Sequence, residues 1–181
     1  MVHEYGLPRD QLPLPANACR MRLVDGPLDI SWHHCSLTSD FLGMFFSSRP
    51  GKNLDVIEMR HSIGYLVNEL LENAVKFRAP GDIEIEASLS NVAFALYLQN
   101  EVNADTATRF QAVLAEIVEG DPGELLIERI EQNASDPESH ASGLGLLTLM
   151  SDYGAQLGWK FSPGREPGVY RLETYATLEI A

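Results

Sequence analysis

The sequence is poor in cysteine and in basic residues and has no long apolar run, and each scarcity excludes a class of protein. Two cysteines among 181 residues cannot build a disulfide framework, so we expect a thiol-reducing, cytoplasmic location. Only 13 Lys and Arg oppose 26 Asp and Glu, a net charge of −13, which disfavours binding to nucleic acid or to anionic membranes. No run of about 18 apolar residues is present. The chain is therefore expected to bind neither nucleic acid nor membrane.

The length fits one domain, and an apolar fraction of 45% is enough for a core. Three prolines in residues 1–17 predict an extended N-terminal arm, which leaves 18–181 as a single domain. The turn residues Asp25-Gly26-Pro27 predict a hairpin with strands near 19–24 and 28–32. A short helix is expected from Thr38 or Ser39 to the Arg49-Pro50-Gly51 stop.

Apolar periodicity predicts the remaining elements together with turn and capping signals, among them the Asp121-Pro122-Gly123-Glu124 helix start. The expected helices cover 54–78, 104–119, 121 to about 133, and 143–153, and the expected strands cover 82–89, 92–100, 156–162 and 168–178. Short turns join several neighbouring strands, which is typical of antiparallel pairing. We therefore expect an α/β fold, a two-layer α/β sandwich with a mixed, mostly antiparallel sheet, helices on one face and a lid-like helical insert at about 104–142.

The helix predicted at 54–78 carries polar residues beside its apolar stripe. On a helical wheel Glu69, Asn73 and Lys76 lie on one flank of the stripe, whereas Asn68 and Glu72 fall near the back and should face solvent. An amide oxygen is a hard ligand suited to Mg²⁺, and a neighbouring carboxylate can take a proton from a hydroxyl. The flank is therefore either a polar boundary of the core or a metal and phosphate site.

A glycine pair opens the helix predicted at 143–153. In Ser142-Gly143-Leu144-Gly145, the glycines expose backbone N–H groups at the positive end of an apolar helix, where phosphate binds well. Such a pair also occurs in ordinary turns and at points of close packing. The pair gains weight here because it follows the Glu69 and Asn73 helix with strands and a helical insert between them.

Two segments carry a family resemblance. Glu69-x-x-x-Asn73-Ala74-Val75-Lys76 resembles the Asn box, and Gly143-Leu144-Gly145-Leu146 the second glycine box, of the GHKL-type ATP-binding fold. Sensor histidine kinases, gyrase and anti-sigma-factor serine kinases share this Bergerat-type fold. The resemblance covers about 54–178, and the short chain with an N-terminal arm looks closest to the SiaB-like serine/threonine kinases of partner-switching systems.

The resemblance implies binding of ATP or ADP with Mg²⁺. It assigns the metal to Asn73 and the general base to Glu69. The family's first glycine box, Asp-x-Gly-x-Gly, is missing, and Asn100 stands in the place of its Asp, which binds the adenine amino group. The nucleotide-binding set is then Asn73, Lys76, Asn100, Ser142, Gly143, Leu144 and Gly145.

The resemblance also implies a partner and an assembly. The partner is a small protein of STAS-like or similar regulatory fold, phosphorylated on Ser or Thr, and the chain itself is expected to form a homodimer through its N-terminal third. The alternative is a catalytically inactive GHKL-like module that sequesters a partner or binds another phosphate-bearing ligand. Residues 116–140 carry eight acids and one base, Arg129, and form either a solvated helical face or a surface for a basic partner.

Overall fold

The computed structural model describes residues 1–12, 18–26, 29–48, 55–135 and 143–180. These residues form the α/β sandwich that the sequence predicts, with five helices packed on one face of a six-stranded sheet. All strand pairings within these ranges are antiparallel, so the sheet is not mixed. In the same ranges no helix is both long and apolar enough to cross a lipid bilayer.

The strands and helices of the described ranges have the following bounds. The strands are β1 His3–Gly6, β2 Cys19–Leu23, β3 Ile83–Leu89, β4 Ala93–Asn103, β5 Gln156–Pro163 and β6 Val169–Glu179. The helices are α1 Trp32–Ser47, α2 Val56–Phe77, α3 Ala104–Glu119, α4 Pro122–Ser135 and α5 Leu144–Ser151. The strand order is β1-β5-β6-β4-β3-β2, which places the two longest strands, β4 and β6, side by side at the centre.

Helix α2 forms where the sequence predicts it. The Asp55 carboxylate accepts hydrogen bonds from the backbone N–H groups of Ile57 and Glu58, which caps the first turn. Leu66 and Leu70 lie in the buried stripe that packs on the sheet. The capped start and the apolar stripe together determine the orientation of α2 on the sheet, and hence where the flank with Glu69 and Asn73 lies.

The N-terminal third differs from the prediction. The hairpin is wrong, because β2 pairs with β3 and residues 29–31 are not in a strand. Helix α1 begins at Trp32, several residues before the predicted start, because Ser31 and His34 cap it reciprocally: the Ser31 N–H donates to His34 Nδ1 over 3.1 Å. Residues 27 and 28 of the predicted hairpin and residues 49–51 of the predicted helix stop lie outside the described ranges.

Much of the predicted N-terminal arm belongs to the sheet. Strand β1 pairs with β5, with Tyr5 opposite Trp159. The chain then covers the sheet face away from the helices, where the Arg9 guanidinium lies 4.5 Å from the centre of the Tyr97 ring. Leu12 is buried beside Tyr97 and Tyr175. Residues 1–12 therefore close one edge and part of one face of the domain.

The two helices of the predicted insert differ in burial. Leu114 and Ile117 of α3 are fully buried in the main core, so α3 is an integral part of the sandwich. Helix α4 contributes one buried residue, Arg129. Helix α4 runs to Ser135, about two residues past its predicted end, and residues 136–142, including Ser142, lie outside the described ranges.

Candidate functional site

A cleft of about 450 Å³ lies between the flank of α2, the first half of α3 and the start of α5. Among its lining residues are five of those predicted from the sequence: Glu69, Asn73, Lys76, Gly143 and Gly145. The two motifs are some seventy residues apart in the chain and meet because α2 and α5 pack against each other. The size of the cleft suits a small-molecule ligand.

The closest contact between the motifs joins Glu69 to Gly145. A β-carbon on residue 145 would lie 1.9 Å from Glu69 Oε2, so the carboxylate occupies space that only a glycine leaves open. Burial raises the pKa of the Glu69 carboxyl, and the Glu72 carboxylate raises it further. No donor among the described residues is hydrogen-bonded to this carboxylate. Glu69 is therefore a half-buried carboxylate of increased basicity at the cleft wall.

Asn73 and Lys76 continue the wall along α2. Asn73 is half-buried and faces both the cleft and a smaller cavity behind it. Its amide makes no hydrogen bond to any residue in the described ranges, so its oxygen is available to a ligand. Lys76 Nζ lies 5.1 Å from the centre of the Phe77 ring, and Arg109 from α3 adds a second cation. Arg109 was not predicted from the sequence, because nothing in the apolar pattern of α3 distinguishes it from other exposed positions.

Gly143 provides the turn into α5. Its φ of 90° is in the left-handed region that favours glycine, and its carbonyl accepts the first helical hydrogen bond from the Leu147 N–H at 3.0 Å. The N–H groups of Leu144, Gly145 and Leu146 consequently have no acceptor within the helix, and they lie at its positive end. This is the arrangement that the glycine pair predicts.

Arg129 supports this turn from the side of α4. Its guanidinium is buried, forms an ion pair with Glu116 at 2.8 Å, and would be 2.9 Å from a β-carbon on Gly143. The one base of the acidic segment is thus part of the packing behind the glycine turn. The acids Glu124, Glu128 and Glu131 of α4 are exposed, which leaves its outer face strongly negative.

Asn100 does not line the cleft itself, but it lines a small adjoining cavity that shares Asn73 and Phe110 with the cleft. Asn100 is 3% exposed near the end of β4, and with Thr174 of β6 it lines this cavity of about 20 Å³, which has room for about one water molecule. Phe110 and Trp159 also line the cavity. Asn100 Nδ2 donates to the Glu101 carbonyl at 3.3 Å, which leaves Oδ1 as an acceptor. Thr174 was not predicted from the sequence, because a lone Thr in a strand does not indicate a binding site.

The prediction that Asn68 and Glu72 face solvent is wrong. Both are half-buried, and Asn68 Nδ2 donates to Glu72 Oε1 at 2.8 Å. Helix α1 packs along this side of α2, and burial together with the Glu72 carboxylate raises the pKa of Cys35 to about 11. The helical wheel assigned this side to solvent because it treats one helix in isolation.

The donors present fit a hard cation. No three His, Cys, Asp or Glu side chains in the described part of the chain cluster as a metal centre. The Asn73 amide oxygen is nevertheless a ligand of the kind Mg²⁺ takes together with phosphate oxygens, and the Glu69 carboxylate beside it is free to accept a proton. No protein-family model matches this chain, and no curated protein sequence matches it significantly. The function must therefore be inferred from the residues of the site itself.

Proposed function

We propose that the cleft binds the Mg²⁺ complex of ATP or ADP, and that the protein is a serine/threonine kinase of a cytoplasmic partner-switching system. Its substrate would be a small regulatory protein of STAS-like fold. The observation that carries the proposal is the meeting of Glu69 and Asn73 with Gly143 and Gly145 on one cleft. The acidic composition and the two free thiols fit such a regulatory protein of the cytoplasm.

Each residue has a role that its chemistry allows. The free N–H groups at the start of α5 hold phosphate oxygens, and Lys76 and Arg109 supply positive charge. The Asn73 oxygen holds Mg²⁺, which when bound neutralises phosphate charge. The pocket residue Asn100 offers Oδ1 to the amino group of the adenine ring.

Glu69 acts on the acceptor hydroxyl. The hydroxyl oxygen of the partner forms a bond to the γ-phosphorus while the bond from that phosphorus to the bridging oxygen of ADP breaks. The hydroxyl proton passes to the Glu69 carboxylate, and ADP leaves. A carboxyl whose pKa is raised by burial is a better acceptor for this proton than an ordinary surface glutamate.

One observation favours a second candidate, a binding module without kinase activity. The cavity at Asn100 has a volume of only about 20 Å³, so an adenine ring enters it only if Phe110 and its neighbours move. A ligand held by its phosphate groups alone needs no such movement. In that case the protein acts by sequestering its partner, with a phosphate-bearing ligand in the cleft.

Isothermal titration calorimetry separates the two candidates. We expect ATP and ADP to bind with Mg²⁺ and to lose most of their affinity in EDTA. Tripolyphosphate with Mg²⁺ is the matched ligand without adenine, and the kinase proposal requires it to bind more weakly than ATP. Equal affinity for the two favours the binding module, and no heat with any of them removes the nucleotide site.

A further inference from the structure

Three aromatic side chains lie together next to Glu69: His61 is exposed, and Tyr65 and Tyr153 are half-buried against the edge of the core. The Tyr65 and Tyr153 rings are stacked with centroids 4.8 Å apart, and His61 lies 6.5 and 6.3 Å from them with its ring nearly parallel. We call these three residues the aromatic shelf. Tyr65 is one helical turn before Glu69 on α2, so the shelf leads directly to the carboxylate.

The electrostatics of the shelf favour a cation. The faces of aromatic rings carry negative potential, and the Glu69 and Asp152 carboxylates are close enough to help raise the pKa of Tyr65, after burial as the main cause. The phosphate groups of a nucleotide would be repelled here. A Lys or Arg side chain would be attracted by the rings and by both carboxylates.

An apolar strip continues the shelf away from Glu69. Ile57 is 81% exposed, Val56 is 52% exposed, and both border a shallow groove that also reaches Met44, Arg60 and His61. Arg60 adds positive charge to this groove, so the strip suits an apolar group and the cation belongs on the shelf. A ligand that uses both the strip and the shelf must be extended and must carry apolar and cationic groups. Such a ligand is a protein segment, and a second copy of this chain, with its net charge of −13, is poorly suited to supply it.

We propose that the aromatic shelf binds a basic segment of the phosphate-accepting protein and thereby presents its Ser or Thr hydroxyl to Glu69. This inference rests on the proposed kinase function and adds the docking surface and the chemistry of the acceptor segment. A Lys or Arg of the segment lies on the rings, an apolar residue lies on Ile57, and the hydroxyl lies beyond Tyr65 at the carboxylate.

An array of immobilised peptides tests the shelf on the full-length protein without nucleotide. Each peptide has a central Ser between Leu and Gly residues, with one Arg at a varied distance, and its matched control has Glu in place of Arg. We expect the wild type to be retained about three- to tenfold more on the best Arg peptide. Tyr65→Leu and Tyr153→Leu should lose this preference. Tyr170→Leu, the same change at a half-buried tyrosine outside the shelf, should keep it.

Conservative variants separate a loss of binding from a loss of folding, and a separate measurement reports on the nucleotide site. Tyr65→Phe and Tyr153→Phe preserve the rings and should retain the preference for Arg. An absent preference in the wild type, or an unchanged one in both Leu variants, overturns the shelf proposal. Calorimetry with ADP reports on the nucleotide site separately: a shelf that selects Arg in a protein without nucleotide affinity contradicts the kinase and supports the docking surface.

Discussion

The Glu69 carboxylate lies where the side chain of any residue other than glycine at position 145 would begin, 1.9 Å from the site of its β-carbon. This contact joins the two motifs of the candidate site physically. It also explains why a glycine is required inside α5, where φ is ordinary and alanine would otherwise be preferred. The pair therefore provides a direct test of the geometry.

We predict that Gly145→Ala destabilises the wild type but stabilises a variant in which Glu69 has been replaced by alanine. In the wild type, alanine must displace the carboxylate and should destabilise the fold by about 1–2 kcal/mol. In a Glu69→Ala background, alanine should stabilise by about 0.5–1 kcal/mol through its helix propensity. Urea unfolding of the four proteins measures both effects. The same sign in both backgrounds would show that Glu69 does not lie against residue 145.

We predict that Asn73→Ala lowers Mg²⁺-dependent affinity for ATP and ADP at least about tenfold and leaves the melting temperature nearly unchanged. The residue is half-buried and makes no hydrogen bond within the described ranges, so its removal costs little packing. Asn68→Ala, on the same helix but hydrogen-bonded to Glu72, is the control and should keep its Mg²⁺ dependence. Unchanged affinity in Asn73→Ala would remove the metal role of this residue.

We predict that Glu69→Gln binds nucleotide but phosphorylates the partner about 10²–10⁴-fold more slowly, because the proton acceptor is lost. The variant also has a signature in stability. Folding raises the pKa of Glu69 above its ordinary 4.5, so ionisation destabilises the native state as pH rises from 4.5 through the raised value. The variant should therefore melt higher than the wild type at pH 7 and match it at pH 4. Equal phosphotransfer rates would contradict the assignment.

We predict that the chain forms a homodimer through the outer face of α1. Phe41, Met44 and Phe45 are all more than 40% exposed there. The rings of Phe41 and Phe45 stack with their centroids 5.6 Å apart, which forms an apolar surface patch. Phe45→Glu should give a monomer in light scattering at tens of micromolar. Val92→Glu, in the turn between β3 and β4, places the same charge elsewhere and should leave the dimer intact. A monomeric wild type would refute this prediction.

We predict that α4 is the least protected helix in hydrogen exchange and that α3 is well protected, because α4 buries only Arg129. Reversing Glu124, Glu128 and Glu131 to Lys should slow association with a basic partner and leave ADP affinity unchanged or improved. Protection of α4 equal to that of α3 would show that it is a fixed part of the core.

The elements predicted correctly are those whose signals, an apolar stripe or a capping residue, lie within the element itself. Leu66 and Leu70 mark the buried face of α2, and Asp121 followed by Pro122 marks the start of α4. Helix α1 was placed too late because its first turn depends on Ser31 and His34, which no apolar periodicity reveals. The hairpin was wrong because Asp25-Gly26 is a turn signal that leads into a helix.

Packing contacts between segments that are far apart in the chain could not be predicted from the sequence. The burial of Glu72 depends on α1, and that of Arg129 depends on the Gly143 turn. The convergence of Glu69 with Gly145 could be expected only through the family resemblance, since helical spacing does not relate α2 to α5. The small volume at Asn100 follows from how Phe110 and Trp159 pack, which a strand pattern does not specify.

The pairing of β1 with β5 has a consequence for the order of folding. His3 is opposite Phe161, so the two strands are roughly 160 residues apart in the sequence. Such distant pairs form late, because closing a long loop costs entropy before the contacts are made. Strands β3 and β4 are joined by a short turn and can pair early, whereas β5 keeps an open edge until β1 docks on it. A truncation that removes β1 would leave the β5 edge open to pairing between molecules.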